Sequence, residues 1–293
     1  MNRHDIKQHL TGVLKDWLDS LNDNELASQV QNHCFFAGGA IASLLTDTPV
    51  NDYDVYFDDA TALRRVAGHY ANHWNNHHSD HPVDVTLDSG KIQLHLCGEG
   101  KVSTPITEDT KPYEPVCFTD NAITLYGPQG NIQIITRFIG SPATITHQFD
   151  FAHTTCFYVP NSFPSGDRLV LPVEALESIA TRELVYTGSA YPLSSLIRTR
   201  KFIQRGWKCN AGQYLKMGLQ LHALDLTDRA TLREQLVGID MDYFSRLLNS
   251  LDAMKGNQNT WRKEQDRPFY NPFPAGEDDL GTILLDLVNE IWG

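Results

Sequence analysis

Several things are scarce in this chain. Its five cysteines, Cys34, Cys97, Cys117, Cys156 and Cys209, are odd in number, widely spread and include no C-x-x-C pair. That argues against a disulfide framework and a zinc ribbon, and makes reduced thiols in a cytosol the expectation. No stretch approaches the roughly 20 apolar residues of a membrane span. The opening Met1-Asn2-Arg3-His4-Asp5 leads into a segment rich in charged and amide residues, which is not read as a signal peptide or an anchor. Basic residues are few as well: 24 Lys and Arg face 36 Asp and Glu, a formal charge of −12. The molecule as a whole repels polyanions, so extended non-specific DNA or RNA binding is excluded and any nucleic-acid contact has to come from a local basic patch. Internal repeats and low-complexity tracts are absent too. What remains is an ordinary globular composition, 293 residues with 41% hydrophobic and 20% charged, enough for one large domain or two modest ones.

The apolar spacing assigns helices to 5–18, through Ile6, Leu10, Val13, Leu14 and Trp17, and to 24–31. Cys34-Phe35-Phe36-Ala37 is a short apolar run stopped by two glycines, with a helix over 40–45 ending before Pro49. Residues 52–57 alternate as a half-buried strand, and a helix follows over 61–74. Further strands are expected at 83–87, 92–96, 122–126, 132–138 and 149–159, with Gly127-Pro128-Gln129-Gly130 as a hairpin turn. Beyond Pro172 helical spacing dominates, over 173–185, 193–203, 213–224, 232–237, 243–251 and 280–291. A stretch at 267–277 carrying three prolines reads as irregular. The expected architecture is α+β: a mixed sheet with helices over residues 1–165, then a helical region over 166–293. The boundary falls near 160–172, where Pro160, Asn161, Pro164, Ser165 and Gly166 cluster.

Chemistry concentrates in one segment. Asp52 and Asp54 stand two apart on an expected strand, so both carboxylates leave the same face while Tyr53 and Val55 take the other. Two adjacent carboxylates attract a divalent cation, and magnesium suits one or two aspartates because it keeps waters and bridges to substrate phosphates. Gly38-Gly39 lets backbone amides approach a phosphate, and the helix after it turns its positive end toward the same anion.

Gly38-Gly39, twelve residues, then Asp52-Tyr53-Asp54 resembles the DNA polymerase beta-like nucleotidyltransferase superfamily, which contains the CCA-adding enzymes and poly(A) polymerases as well as toxin and antibiotic-modifying members. The resemblance covers roughly 33–158, and only 35–57 is pattern-specific. It implies a metal-dependent transfer of a nucleoside monophosphate from a nucleoside triphosphate to a hydroxyl, with magnesium or manganese. Two ions would activate the attacking hydroxyl and steady the leaving pyrophosphate. Asp52 and Asp54 would be metal ligands and catalytic residues. A third carboxylate, from a later strand flanked by apolar residues, would be Asp150 in Phe149-Asp150-Phe151, with Asp84 in Val83-Asp84-Val85 as competitor. Gly38, Gly39 and Ser43 would meet the nucleotide. The chain departs from CCA-adding enzymes and bacterial poly(A) polymerases in having Ala40-Ile41-Ala42-Ser43 where those usually show an Arg-Asp pair, so their substrate is not carried over. An RNA or tRNA 3′ end is the first acceptor. A catalytically inactive nucleotide- or partner-binding module, and a toxin or defence enzyme acting on tRNA or protein, are the rivals.

Outside that segment, Arg198, Lys201 and Arg205 fall at spacings of three and four on one helix, a stripe that suits a triphosphate or RNA backbone. The commoner role of such a stripe is a solvated face. His69, His73 and His77 recur every four residues, a zinc-capable spacing that lacks a cysteine or consistent acid partner and so reads as a polar helix face.

Overall fold

The computed structural model describes residues 1–88, 90–96, 101–160, 163, 166–226 and 228–236. The helices expected at 243–251 and 280–291, the irregular stretch at 267–277 and Cys97 lie outside the described residues. The chain divides into two compact units, Met1–Ala190 and the residues from Tyr191 onward.

In the first unit, helix α1 (Arg3–Ser20) starts where the Asn2 side chain accepts from the amides of His4 and Asp5. Helix α2 (Asn24–His33) is capped in the same way by Asp23, each cap satisfying first-turn donors that the helix cannot. There follow β1 (Cys34–Ala37), α3 (Gly39–Leu45), β2 (Asp52–Phe57), α4 (Ala60–His77), β3 (Val83–Asp88), β4 (Lys91–Leu96), β5 (Lys101–Ser103), β6 (Pro115–Thr119), β7 (Ala122–Leu125), β8 (Asn131–Ile139) and α5 (Pro142–Thr146). A 3-10 turn (Ala152–Thr154), β9 (Phe157–Val159), β10 (Arg168–Val170) and α6 (Val173–Thr181) complete it.

Eight strands form one mixed sheet in the order β10-β9-β1-β2-β8-β7-β6-β5. The β2–β8 pair is parallel and its neighbours are antiparallel. The fold is α+β, and β3–β4 make a separate two-stranded sheet. Register explains the core: Val55, Ile134, Ile123 and Phe118 lie across four strands on one face and are all fully buried. Trp74 of α4 meets Phe118 edge-on at 5.3 Å, and Trp17 of α1 donates to the Tyr70 hydroxyl at 2.7 Å, which ties the two covering helices together. The opposite face buries Phe35, Ala37, Tyr56 and Phe157 with Ile145 of α5 and Phe163.

The single strand expected over 149–159 is broken. Thr154 Oγ1 donates to Phe151 O and Thr155 Oγ1 to Ala152 O, local bonds that favour a turn over a ladder. Only Phe157–Val159 pairs as a strand. Strands β5, β6 and β10 escaped the sequence reading: two are three residues long, and β6 opens on a proline and carries a register shift. The helix expected to 185 stops at Thr181, where Arg182 turns left-handed (φ 57°) and Glu183 N returns to Ser178 O.

The second unit holds α7 (Pro192–Gln204), α8 (Ala211–His222), capped by Asn210, and α9 (Arg229–Gln235), capped by Asp228. Ser194 Oγ of α7 donates to Gln235 O at 2.7 Å. No helix among the described residues is long and apolar enough to cross a membrane.

Candidate functional site

The site is made where β1 ends and β2 begins. The antiparallel register sets Ala37 opposite Asp54, so the chain turns out of β1 beside that carboxylate. Gly38 makes the turn at φ 96°, ψ −158°, a conformation closed to L side chains. A Cβ on Gly38 would stand 2.7 Å from Asp54 Oδ2, so the absence of a side chain is what admits the carboxylate. Gly39 is different: it opens α3, and a Cβ there would meet nothing within 4 Å. Ser43 lies one turn further along α3, half-buried, and its carbonyl accepts from the amides of Thr46 and Thr48.

Asp52 and Asp54 share a face of β2, both half-buried, while Tyr53 and Val55 are buried on the other, as the alternation required. Tyr53 is anchored there. Its hydroxyl meets His9 Nε2 of α1 at 2.7 Å and donates to Gln129 O at 3.4 Å. Burial pushes the Tyr53 phenol up to about 12, with the nearby Tyr113 contributing, and burial also lowers His9, so both stay neutral near pH 7. The entry to β2 is fixed by the 127–130 turn. Asn131 N donates to Asn51 O at 2.9 Å, and a Cβ on Gly127 would overlap Gly130 O at 2.0 Å.

Asp150 is buried, on the loop between α5 and the 3-10 turn. That loop is clamped by the segment after α6: Thr187 N donates to Asp150 O, Thr187 Oγ1 to Phe149 O, and Phe151 bridges Tyr186. The same loop reaches the glycine turn, since Gly38 N donates to Thr154 O at 3.2 Å. Asp84 is exposed on β3, in the small sheet, opposite His95. Among the described residues no group of three His, Cys, Asp or Glu side chains is placed to hold one metal ion. As a donor set, Asp52 and Asp54 fit a single magnesium that completes its shell with water and phosphate oxygens.

The basic residues of α7 lie in the second unit. Arg198 is half-buried, whereas Lys201 and Arg205, the latter at the helix end, are exposed. His73 and His77 of α4 stand with ring centroids 4.8 Å apart, and His77 Nδ1 bonds to His73 O. His147 and His153 flank Asp150 in the sequence, a placement more often structural than catalytic; His153 is fully buried in the 3-10 turn that contacts Gly38, where burial pushes its imidazole down to about 3. Cys34, Cys117, Cys156 and Cys209 are free thiols.

Among solved structures the chain is similar to a Thermotoga maritima CCA-adding enzyme complexed with tRNA, with 11% identity over 70% of this chain and 44% of that one, at a TM-score of 0.36. It is similar to a Bacillus stearothermophilus CCA-adding enzyme in complex with CTP at 14% identity, over 66% and 40%, also at 0.36. It therefore spans less than half the length of these two enzymes. Another structure, a tRNA-processing enzyme in an apo form, matches at 12% identity over 90% of this chain and 71% of that one, with a TM-score of 0.36. No curated protein matches the sequence. A family model described as Gabija anti-defense 2 family protein matches residues 8–182, more than half of the chain and all of the glycine turn, the acidic strand and the Asp150 loop, so the chain belongs to the Gabija anti-defense 2 family.

Proposed function

We propose that the glycine turn and the acidic strand form a nucleotidyltransferase-type site that takes a nucleoside triphosphate with magnesium or manganese, and that the protein uses this site against a Gabija defence. One observation carries the reading: the Asp54 carboxylate occupies the space that Gly38 leaves, beside a second carboxylate on the same face. Carboxylates and a backbone turn that close together suit a metal–phosphate complex, with Asp52 and Asp54 on the ion and the Gly39 amide near a phosphate, the Gly38 amide being taken by Thr154 O. When bound, the metal would neutralise phosphate charge and polarise the phosphoryl group. The chain's own contribution is to hold the two carboxylates in place from behind through Tyr53, and to keep the glycine turn tight through Thr154 O. The reaction this supports is transfer of a nucleoside monophosphate to a hydroxyl, with an RNA 3′ end as the first acceptor to test.

A second reading, nucleotide binding without transfer, is favoured by the lack of a third metal-ligating side chain grouped with Asp52 and Asp54 among the described residues. The test is incubation with magnesium and each of the four labelled nucleoside triphosphates plus total cellular RNA, beside the Asp52→Ala/Asp54→Ala variant. Label on RNA or protein with wild type alone supports transfer and names the acceptor. Nucleotide retained on a filter without covalent label supports binding alone. Neither result with any nucleotide sinks both readings.

A further inference from the structure

Helix α4 carries His73 and His77 one turn apart, with their imidazole centroids 4.8 Å apart. Two imidazoles that share one zinc ion, each nitrogen about 2.1 Å from the metal, stand with their ring centres roughly 5 Å apart. The pair is therefore already spaced for a chelate. The tautomer of one ring is set as well. His77 Nδ1 lies 2.8 Å from His73 O. A carbonyl only accepts, so Nδ1 holds the proton and Nε2 of the neutral ring keeps its lone pair. A backbone carbonyl behind one ring nitrogen is also how metal-ligating histidines are oriented.

No acidic residue stands on α4 beside the pair. The fold brings two. His73 and His77 line a cleft of about 300 Å³ that is also lined by the segment between β5 and β6, with its carboxylates Asp109 and Glu114. Trp74 and His78, stacked at 3.8 Å with planes 15° apart, line it too. The lining includes no lysine or arginine, so its charge favours a cation.

We propose that His73 and His77 form a two-histidine site for a first-row transition ion, zinc in the first place, in this cleft. Imidazole suits zinc, nickel and copper, whereas magnesium prefers oxygen ligands. Among the described residues no three His, Cys, Asp or Glu side chains are grouped around one ion. The two rings are the chelate this conformation offers, and water or an entering ligand takes the open positions, as in zinc sites that are not closed by protein alone. Asp109 and Glu114 are drawn toward the bound dication, so loading holds the 104–114 segment against α4. The site shares no residue with the acidic strand and stands whether or not that strand handles a nucleotide.

The test is calorimetric titration with zinc of wild type, His73→Gln, His77→Gln and His69→Gln, beside the Asp52→Ala/Asp54→Ala variant. His69 lies one turn earlier on α4 and does not line the cleft. His77 is exposed, so His77→Gln carries the test even where half-buried His73 contributes to packing. The expected result is one zinc per chain in wild type, His69→Gln and the double variant, with affinity lower by roughly tenfold or more in His73→Gln and His77→Gln. Copper(II) electron paramagnetic resonance should show two coordinated imidazoles in wild type and one in either cleft variant, and zinc should slow hydrogen exchange over 104–114 in wild type alone. Zinc affinity unchanged in both cleft variants, an equal loss in His69→Gln, or no zinc bound by wild type overturns the proposal. Loss of zinc in the Asp52→Ala/Asp54→Ala variant instead assigns the ion to the acidic strand and overturns it too.

Discussion

The carboxylate of Asp54 and the missing side chain of Gly38 are two halves of one contact. A Cβ at 38 would come within 2.7 Å of Asp54 Oδ2, and the backbone there sits at φ 96°. Gly38→Ala therefore has to move the turn or the carboxylate, and the strained backbone alone costs on the order of 1–3 kcal/mol. The expected outcome is a lower melting temperature together with loss of nucleotide binding. Gly39→Ala is the contrast, since a Cβ there meets nothing within 4 Å and the residue is helical. It should keep the melting temperature or raise it, by up to about 1 kcal/mol of stability. Equal destabilisation by both substitutions would count against the close approach.

Asp52→Asn and Asp54→Asn, tested singly, should leave the fold intact. Both side chains are half-buried on a strand whose buried face is built from Tyr53, Val55 and Phe57. Two neighbouring carboxylates without a cation repel, so removing one charge is expected to change stability by less than about 1 kcal/mol in either direction. Chemical denaturation measures the first part and nucleotide affinity the second, which should fall at least tenfold. Unfolding in either variant would show the pair to be structural.

Tyr53 links the acidic strand to α1 through its 2.7 Å contact with His9. Tyr53→Phe removes that contact without changing the packed ring and should cost about 1 kcal/mol. A double-mutant cycle with His9→Leu isolates the pair, and the expected coupling is about 0.5–1.5 kcal/mol. A coupling near zero would mean that the hydroxyl is held by Gln129 O instead.

His153 makes the fold acid-sensitive. Its folded value is pushed down to about 3 by burial, against 6.5 for a free imidazole. Between those values the unfolded chain binds a proton that the folded chain refuses, so stability rises with pH there and is lost as pH falls below about 6.5. The loss approaches about 1.4 kcal/mol per pH unit. His9, His69 and His73, also lowered by burial, act in the same direction. Melting curves from pH 7.5 to 5 should shift downward, and His153→Leu should flatten part of that slope. An unchanged slope in the variant would place the acid sensitivity elsewhere.

Much of this was legible in the linear pattern, for identifiable reasons. The α1 spacing, the Cys34–Ala37 run and the 52–57 alternation each encode a face that must be buried, and a period of 3.6 or 2 survives in sequence whatever the neighbours are. The same alternation placed Asp52 and Asp54 together on one face, because that depends only on the strand's own geometry. The Asp150 segment was read as one strand because its apolar residues outnumber its threonines; the threonine-to-carbonyl bonds that break it are short-range, but they compete with pairing that the sequence does not display.

By itself, then, the sequence determined which segments bury a face, where the glycines interrupt them, and that two carboxylates project together. The tertiary structure alone decided which strand lies next to which. A parallel neighbour joined through the 58–130 segment brings Gln133 beside Asp54, a separate small sheet carries Asp84 away from the main one, and a clamped loop buries His153 near Gly38. Those relationships connect residues tens of positions apart. They are set by which buried faces fit together, and no local period records that choice.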